Sequence, residues 1–267
     1  MKFNEILLEI DQGIATITLN RPDIRNVITG EQIIAEIEAA CQQINHDMEI
    51  KVLIITGADP AFSAGGNVKD MAAQKGIFHG TPAQVMENCR RSIAKIPLAI
   101  RGVEVPTIAA INGPAIGAGL DLALMCDMRI ASKKAEFGET FINLGLIPGD
   151  GGAYFLPRVV GMAKACELTF TGEIIDAQFA LEMRLVNYVV DHDQLMPKAK
   201  KLASKIASKS PVALRMAKRL LYMGQDGTLP HLLEQSTAFQ ALCLRSDDHQ
   251  EVLASMFEKR EPRFTGK

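Results

Sequence analysis

The sequence predicts an α/β protein whose last quarter is helical, and three observations lead to this prediction. Short apolar runs of strand type recur through the first 190 residues, and amphipathic helical segments lie between them. Strand-type runs then stop. From about residue 192 to 259 helix formers dominate, in KAKKLASKIASK, VALRMAKRLLYM, LPHLLEQSTAFQALC and HQEVLASMFEKR.

The strands and the first helix can be placed in chain order. EILLEI and IATITL, separated by the turn-type cluster Asp11-Gln12-Gly13, predict an opening hairpin. Thr29 is the expected N-cap of an amphipathic helix whose apolar residues recur at three- and four-residue spacing from Ile33 to Ile44. Continuous apolar runs then predict buried strands at 52–57, 107–113, 128–132 and 186–190.

The helical C-terminal quarter has clear start signals and an apolar surface. Ser210 before Pro211 and Ser246 before an acidic pair predict helix N-termini. Apolar residues on these helices exceed what a solitary appendage tolerates in water: Leu232, Leu233, Phe239, Leu242, Met256 and Phe257. We expect a core at residues 1–195 and a helical oligomerisation region at 196–267.

Composition excludes several classes of function. The 267 residues are 48% hydrophobic and 22% charged, with a net charge of −2, so no positive field would hold nucleic acid or an anionic membrane. No uncharged apolar stretch reaches a membrane-spanning length, and MKFNEILLEID does not resemble a signal peptide, so a cytoplasmic location is expected. Five scattered cysteines and five scattered histidines predict neither a disulfide framework nor a metal site.

A first small-residue loop follows a predicted strand and opens into a predicted helix, at Ala61–Met71 with sequence AFSAGGNVKDM. Glycine lets a ligand approach the backbone closely, and N–H groups at a helix start carry the positive end of the helix dipole. A tight strand-to-helix turn with no ligand is the alternative interpretation of one such loop.

A second loop repeats this arrangement at Asn112–Asp121, with sequence NGPAIGAGLD. Two such loops can each aim one N–H at a single carbonyl oxygen, which is the geometry of an oxyanion hole for a thioester or ester. A phosphate cradle is a weaker hypothesis, because neither loop has a nucleotide-binding glycine pattern.

These segments carry a resemblance to a known family. FSAGGNVKDM, INGPAIGAGLDLALMCDMRIAS and AEFGETFINLGLIPGDGGAYFLPRVVG, with RPDIRN near the start and FEKREPRFTGK at the end, resemble the crotonase superfamily, also called the enoyl-CoA hydratase/isomerase family. The resemblance implies a spiral of ββα turns with a helical C-terminal trimerisation region. It also implies a homotrimer or a dimer of trimers that binds an acyl-CoA thioester, with CoA as part of the substrate and no separate cofactor.

The resemblance assigns roles to residues of both loops and of the two chain ends. Gly66 and Ala118 would be the backbone N–H donors of the oxyanion hole. Residues expected to hold CoA are Ile24, Arg25, Ala64, Gly65 and Asn67, and two residues expected to reach the CoA of a neighbouring subunit are Phe257 and Lys259.

The acid/base residues depart from the family pattern. Asp121 occupies the position of the first glutamate of the hydratases, whereas Phe141 occupies that of the second. Asp150 is a candidate to replace the missing carboxylate, with an N-cap of a helix beginning at Gly151 as the alternative. Glu139 is a further candidate, for which a surface or inter-subunit role is as plausible. Asp121 could instead be a buried structural carboxylate.

Three functions stay open on these residues. An acyl-CoA enzyme would hydrate a 2-enoyl-CoA or shift its double bond through a common enolate, and an acyl-CoA hydrolase is a related alternative. The loss of one glutamate also fits a catalytically decayed CoA-binding or assembly protein of the same fold. For an enzyme, the segment 72–92 and its neighbour Met71 are expected to line the acyl pocket through Met71, Ile77, Phe78 and Met86.

Overall fold

The computed structural model describes residues 3–266 and divides their strands between two sheets. Within these residues the strands are β1 (Ile6–Asp11), β2 (Ile14–Leu19), β3 (Val52–Gly57), β4 (Thr107–Ile111), β5 (Ala115–Ile116), β6 (Met128–Ser132), β7 (Glu136–Gly138), β8 (Ile174–Asp176) and β9 (Tyr188–Val190). The larger sheet has the order β1-β2-β3-β4-β6-β9, and the smaller has the order β5-β7-β8.

The helices fill the intervals between strands and then form the whole C-terminal quarter. Those of the described residues are α1 (Glu31–His46), α2 (Val68–Ala72), α3 (Pro82–Arg91), α4 (Lys95–Arg101), α5 (Ala118–Leu124), α6 (Gly152–Val160), α7 (Met162–Thr171), α8 (Ala177–Glu182), α9 (Leu195–Ala207), α10 (Pro211–Asp226), α11 (Leu229–Leu244) and α12 (Asp247–Glu258). The predicted α/β class with a helical end is confirmed.

The chain winds between the two sheets as a spiral. It passes from β4 in the larger sheet to β5 in the smaller one, then from β6 to β7, and returns from β8 to β9. The predicted hairpin β1–β2 is antiparallel, with Ile6 opposite Leu19, and the strands from β2 to β9 in the larger sheet are parallel. Loops that follow neighbouring parallel strands therefore emerge at one edge of the sheet.

The strand β3 shows why these strands read as continuous apolar runs. Leu53 and Ile55 face the main core, whereas Val52 and Ile54 face a second core cluster that α9 covers with Leu195, Ala199 and Ala203. A strand buried on both faces has no polar face, so its sequence cannot alternate.

Helix starts agree with the sequence in two places and differ in one. Ser210 accepts a hydrogen bond from Ala213 N at 3.3 Å, and Ser246 accepts one from His249 N at 3.2 Å, so both predicted caps are confirmed. The prediction for Thr29 was wrong, because Gly30 is the N-cap of α1. The hydroxyl of Thr29 accepts from Asn67 N at 3.1 Å instead, which ties it to the first small-residue loop.

Buried charges attach the C-terminal helices to the rest of the protein. On α10, Arg215 contacts Glu104 at 3.1 Å, and Lys218 contacts both Asp127 and the carbonyl of Val105 at 2.9 Å. By contrast, α11 has no buried residue.

Within residues 3–266, none of the helices has the length and apolar character needed to cross a bilayer. The division at residue 195 stays a prediction.

Candidate active site

The two small-residue loops lie directly against each other. Ile116 N donates to Ser63 O at 3.0 Å, and the N–H groups of Phe62 and Ser63 both donate to Pro114 O at 3.1 Å. Gly65 has a φ of +77°, and a Cβ there would overlap Ile116 O and lie 2.9 Å from Ala118 N. Only glycine fits this contact, because the conformation and the space both exclude a side chain.

The contact between the loops leaves two backbone donors beside a common cavity. Gly66 and Ala118 both line it, and within the described residues neither N–H has an intramolecular acceptor. Ala118 is the first residue of α5, so its N–H also lies at the positive end of a helix. This arrangement can stabilise negative charge on a carbonyl oxygen placed between the donors.

The cavity has a volume of about 620 Å³ and mostly apolar walls. Met71, Ile77 and Phe78 line it, as the sequence predicted. Met86 does not, because it lies on the outer face of α3 with 66% of its surface exposed. The cavity therefore suits a ligand that has an apolar chain and one polarisable carbonyl.

The segment containing Ile24 and Arg25 lies next to the first loop. Ala64 N donates to Arg25 O at 2.9 Å, so the backbone of Arg25 holds Ala64 in place. The side chain of Arg25 is exposed, and its φ of 53° turns the chain sharply at this point. The structure thus brings together Ile24, Arg25, Ala64 and Gly65 at one edge of the cavity region. Their binding of CoA stays a prediction.

Asn67 is engaged within the protein itself. Its side-chain oxygen accepts from Lys69 N and Asp70 N, so it caps α2, and its own N–H donates to Thr29. Its carbonyl accepts from Met71 N at 3.0 Å. We expect Asn67 to shape the loop, since its backbone groups already have partners.

Phe257 and Lys259 lie at the end of α12 and are not among the residues that line the cavity of their own chain. Phe257 is 87% exposed. The predicted contact of both residues with the CoA of a neighbouring subunit stays a prediction.

Asp150 is the carboxylate that faces the cavity. It lines the cavity together with Gly66 and Ala118. Burial raises its pKa to about 6. The alternative role as a helix cap is wrong, because α6 begins at Gly152 with Gly151 as N-cap and no side-chain capping bond. Asp150 therefore has no observed capping function, and at neutral pH it is mostly ionised.

Asp121 and Glu139 form a pair of buried carboxyl groups behind the cavity wall. Neither residue has any exposed surface, and within residues 3–266 no basic side chain pairs with either carboxyl group. A Cβ on Gly152 would overlap an oxygen of each, so both carboxyl groups converge on this glycine. The surface role considered for Glu139 is therefore wrong.

Burial dominates the protonation of this pair. It raises the pKa of Glu139 to about 8, and burial followed by the charges of Glu139 and Asp150 raises that of Asp121 well above its ordinary value. Two desolvated carboxyl groups so close together cannot both ionise easily, so the pair retains a proton at neutral pH.

Phe141 stands at the position that the family resemblance assigns to the second glutamate of the hydratases. Its side chain lines the cavity, and its ring lies 3.7 Å from where a Cβ on Gly117 would be. An apolar ring thus packs against the second loop, next to the donor Ala118. Sequence reasoning missed the role of Gly152, although the glycine pair in IPGDGG was a signal of close packing.

Comparisons with known proteins agree with this geometry. Residues 9–267 match the family model described as enoyl-CoA hydratase/isomerase. The chain is 34% identical to the crotonyl-CoA hydratase of Syntrophomonas wolfei, with all of both chains covered. It is 35% identical to the 2,3-dehydroadipyl-CoA hydratase of Escherichia coli, covering 99% of this chain and 100% of that protein.

Solved structures give the same result. The enoyl-CoA hydratase of Bacillus anthracis superposes with a TM-score of 0.92 at 34% identity, covering 99% of this chain and 100% of that one. The Geobacillus kaustophilus enzyme superposes with a TM-score of 0.90 at 34% identity over the whole of both chains. The chain is a member of the enoyl-CoA hydratase/isomerase family and has the crotonase fold.

Proposed function

We propose that the protein adds water to a 2-enoyl-CoA thioester, with Asp150 as the residue that moves the protons. The observation that carries this proposal is the presence of two free backbone donors, Gly66 and Ala118, and one ionisable carboxylate, Asp150, on the wall of one cavity. The relatives named above are hydratases, which supports hydration as the reaction.

The reaction then proceeds through a thioester enolate. Asp150 accepts a proton from water while the water oxygen bonds to C3, and the electron pair of the double bond moves toward the thioester oxygen. The N–H groups of Gly66 and Ala118 stabilise the resulting negative charge, an effect worth about 2.7–4 kcal/mol for each donor. Asp150 next gives its proton to C2, which restores the carboxylate.

Isomerisation of a 3-enoyl-CoA is the second candidate, and a specific observation favours it. Asp150 is the one carboxylate among the described residues that line the cavity. Phe141 stands at the position where hydratases of this family carry a second carboxylate, a glutamate. A single carboxylate suffices to remove a proton from C2 and return it to C4. The same two donors would stabilise the dienolate.

The apolar surface of the C-terminal helices supports association of subunits, for which the family resemblance implies a homotrimer or a dimer of trimers. Leu233 and Leu242 on α11, and Met256 and Phe257 on α12, each expose more than half of their surface. Such a surface is costly in water unless another subunit covers it. Light scattering at micromolar concentration tests this, and a monomer would overturn it. The cytoplasmic location stays a prediction from the sequence.

Turnover of two substrates tests the proposed reaction. We expect loss of the enoyl-thioester absorbance with crotonyl-CoA and formation of a 3-hydroxyacyl-CoA by NMR. Conversion of a 3-enoyl-CoA alone would identify an isomerase, and release of free CoA thiol would identify a hydrolase. Tight binding of both thioesters without turnover would support the decayed CoA-binding protein instead.

A further inference from the structure

An arginine-rich pocket of about 270 Å³ lies apart from the active-site cavity and shares no lining residue with it. Four elements bring arginines to its wall: α4, β6, α6 and the turn after α8. These arginines are Arg101, Arg129, Arg158 and Arg184. Asp127 is the one carboxylate among the residues that line this pocket.

Within the described residues Asp127 forms no ion pair with these arginines, and its carboxylate is paired with Lys218 instead. It accepts from the N–H and hydroxyl of Thr107 at 2.7 and 3.0 Å, from Lys218 at 2.9 Å, and from the hydroxyl of Tyr222. Of the four arginines only Arg158 contacts a carboxylate within the described residues, Asp226 at 3.4 Å. Arg101, Arg129 and Arg184 therefore form no ion pair within the described residues, and the side chain of Arg184 is exposed to solvent.

Arg129 is the most informative of these groups, because it is only 7% exposed. It donates to the carbonyls of Leu185 and Cys126, both at 2.7 Å, which fixes its guanidinium in the pocket wall. Burial lowers the pKa of Arg129, and Asp127, which favours its charged form, is shared with Lys218, so an anion in the pocket would add a favourable charge contact.

Arg184 lies in the turn after α8, and its side chain is exposed. Its φ of 64° lies in the left-handed region, where glycine would fit without strain. The replacement Arg184→Gly therefore removes the guanidinium and suits the backbone conformation at this position.

The remaining two arginines are held in orientation by aromatic rings. The guanidinium of Arg101 lies 3.1 Å from the ring centroid of Tyr222, and that of Arg158 lies 3.6 Å from that of Tyr154. Stacking leaves the N–H groups of Arg101 free to donate in the plane of its guanidinium, whereas Arg158 already donates to Tyr154 O at 3.0 Å and to Asp226 at 3.4 Å.

We propose that this pocket binds a small tetrahedral oxyanion, either inorganic phosphate or the phosphoryl group of a small phosphate monoester. Guanidinium groups from four directions match the several acceptor oxygens of such an anion. The volume admits a phosphoryl group with few further atoms. The proposal does not depend on the reaction catalysed in the other cavity.

Calorimetric titration with inorganic phosphate tests this site. Ionic strength is held constant, and CoA is left out because its own phosphate groups would compete for the pocket. We expect one phosphate per chain. Arg184→Gly and Arg101→Gln should each weaken binding by about tenfold or more, as expected for loss of a charge-assisted hydrogen bond. Arg245→Gln, on the exposed end of α11, is the matched control and should bind phosphate as the parent does.

Several outcomes would overturn the proposal. These are no saturable binding at millimolar phosphate, binding that neither pocket variant weakens, and malonate binding as tightly as phosphate. Arg184→Gly should fold normally because glycine suits its backbone conformation, and circular dichroism checks this. A small phosphate monoester that binds tighter than inorganic phosphate would identify the larger ligand, and equal or weaker binding would identify phosphate itself.

Discussion

The replacement Asp150→Asn gives the sharpest test of the proposed proton transfer. Asparagine keeps the shape of the side chain but cannot accept a proton from water. General acid/base catalysis contributes about 10²–10⁴-fold, so kcat/KM for a 2-enoyl-CoA should fall by that amount. Thioester affinity should change little, because the CoA moiety supplies binding energy away from the reacting carbon.

The pH dependence of the unmodified protein follows from the same carboxylate. Burial raises the pKa of Asp150 to about 6. A base with this pKa is about one tenth ionised at pH 5 and about nine tenths ionised at pH 7, so kcat/KM should rise about tenfold over this interval. The value of kcat/KM must rise with pH, because only the ionised carboxylate can accept the proton from water.

Initial rates of enoyl-thioester loss, measured in buffers of constant ionic strength from pH 5 to 8, provide the assay. Asp193→Asn is the matched control, since Asp193 is exposed and its carboxylate accepts a hydrogen bond from its neighbour Gln194. The reasoning is refuted if Asp150→Asn stays within a few-fold of the parent, or if the parent's profile is flat across pH 6. A loss of 10² or more in Asp121→Asn alone would move the base to the buried pair.

Two further predictions concern stability. Glu139 binds its proton more tightly when folded, with its pKa raised from 4.5 to about 8, so its contribution to stability is present at low pH and lost as pH rises through about 8. Glu139→Gln should therefore stabilise the protein more at pH 9 than at pH 5. The difference between the two effects should be on the order of 2–4 kcal/mol in the free energy of unfolding, measured with urea. An equal effect at both pH values would contradict this. Gly65→Ala should lower the free energy of unfolding by about 2–4 kcal/mol, through strain at positive φ and overlap with Ile116 O, whereas Gly76→Ala, in open space at a similar φ, should cost less. Similar losses in the two variants would argue against the loop contact.

The fold was predictable because its signals are local. Runs such as VLIITG are apolar throughout since β3 is covered on both faces, and Ser210 with Pro211 marks a helix start through a hydrogen bond to its own chain. Thr29 shows where prediction from local sequence fails. Its hydroxyl is close in sequence to the start of α1, yet it bonds to Asn67, and sequence spacing carries no information about such a partner.

The placement of the backbone donors in the candidate site could be predicted from the sequence. The burial and protonation of its carboxyl groups could not. Gly65 and Ala118 come together because two parallel strands end at one sheet edge, which the pattern of loops indicates. The burial of Asp121 and Glu139 depends on the missing side chain of Gly152, a residue from a later helix. The protonation state of a carboxyl group follows from such three-dimensional burial and not from its position in the chain.

The oxyanion hole is the central claim, and Ala118→Pro tests it most directly. Ala118 is the first residue of α5, a position where proline is well tolerated, and its N–H has no acceptor within the described residues. The measurement is the infrared stretch of an isotope-labelled thioester carbonyl in bound substrate, with Ala118→Gly as the control that keeps the N–H. We predict that the stretch shifts to lower wavenumber in the parent and in Ala118→Gly. In Ala118→Pro the shift should be smaller, with kcat lowered by about 10²–10³-fold. An unchanged shift and rate in Ala118→Pro would contradict the claim.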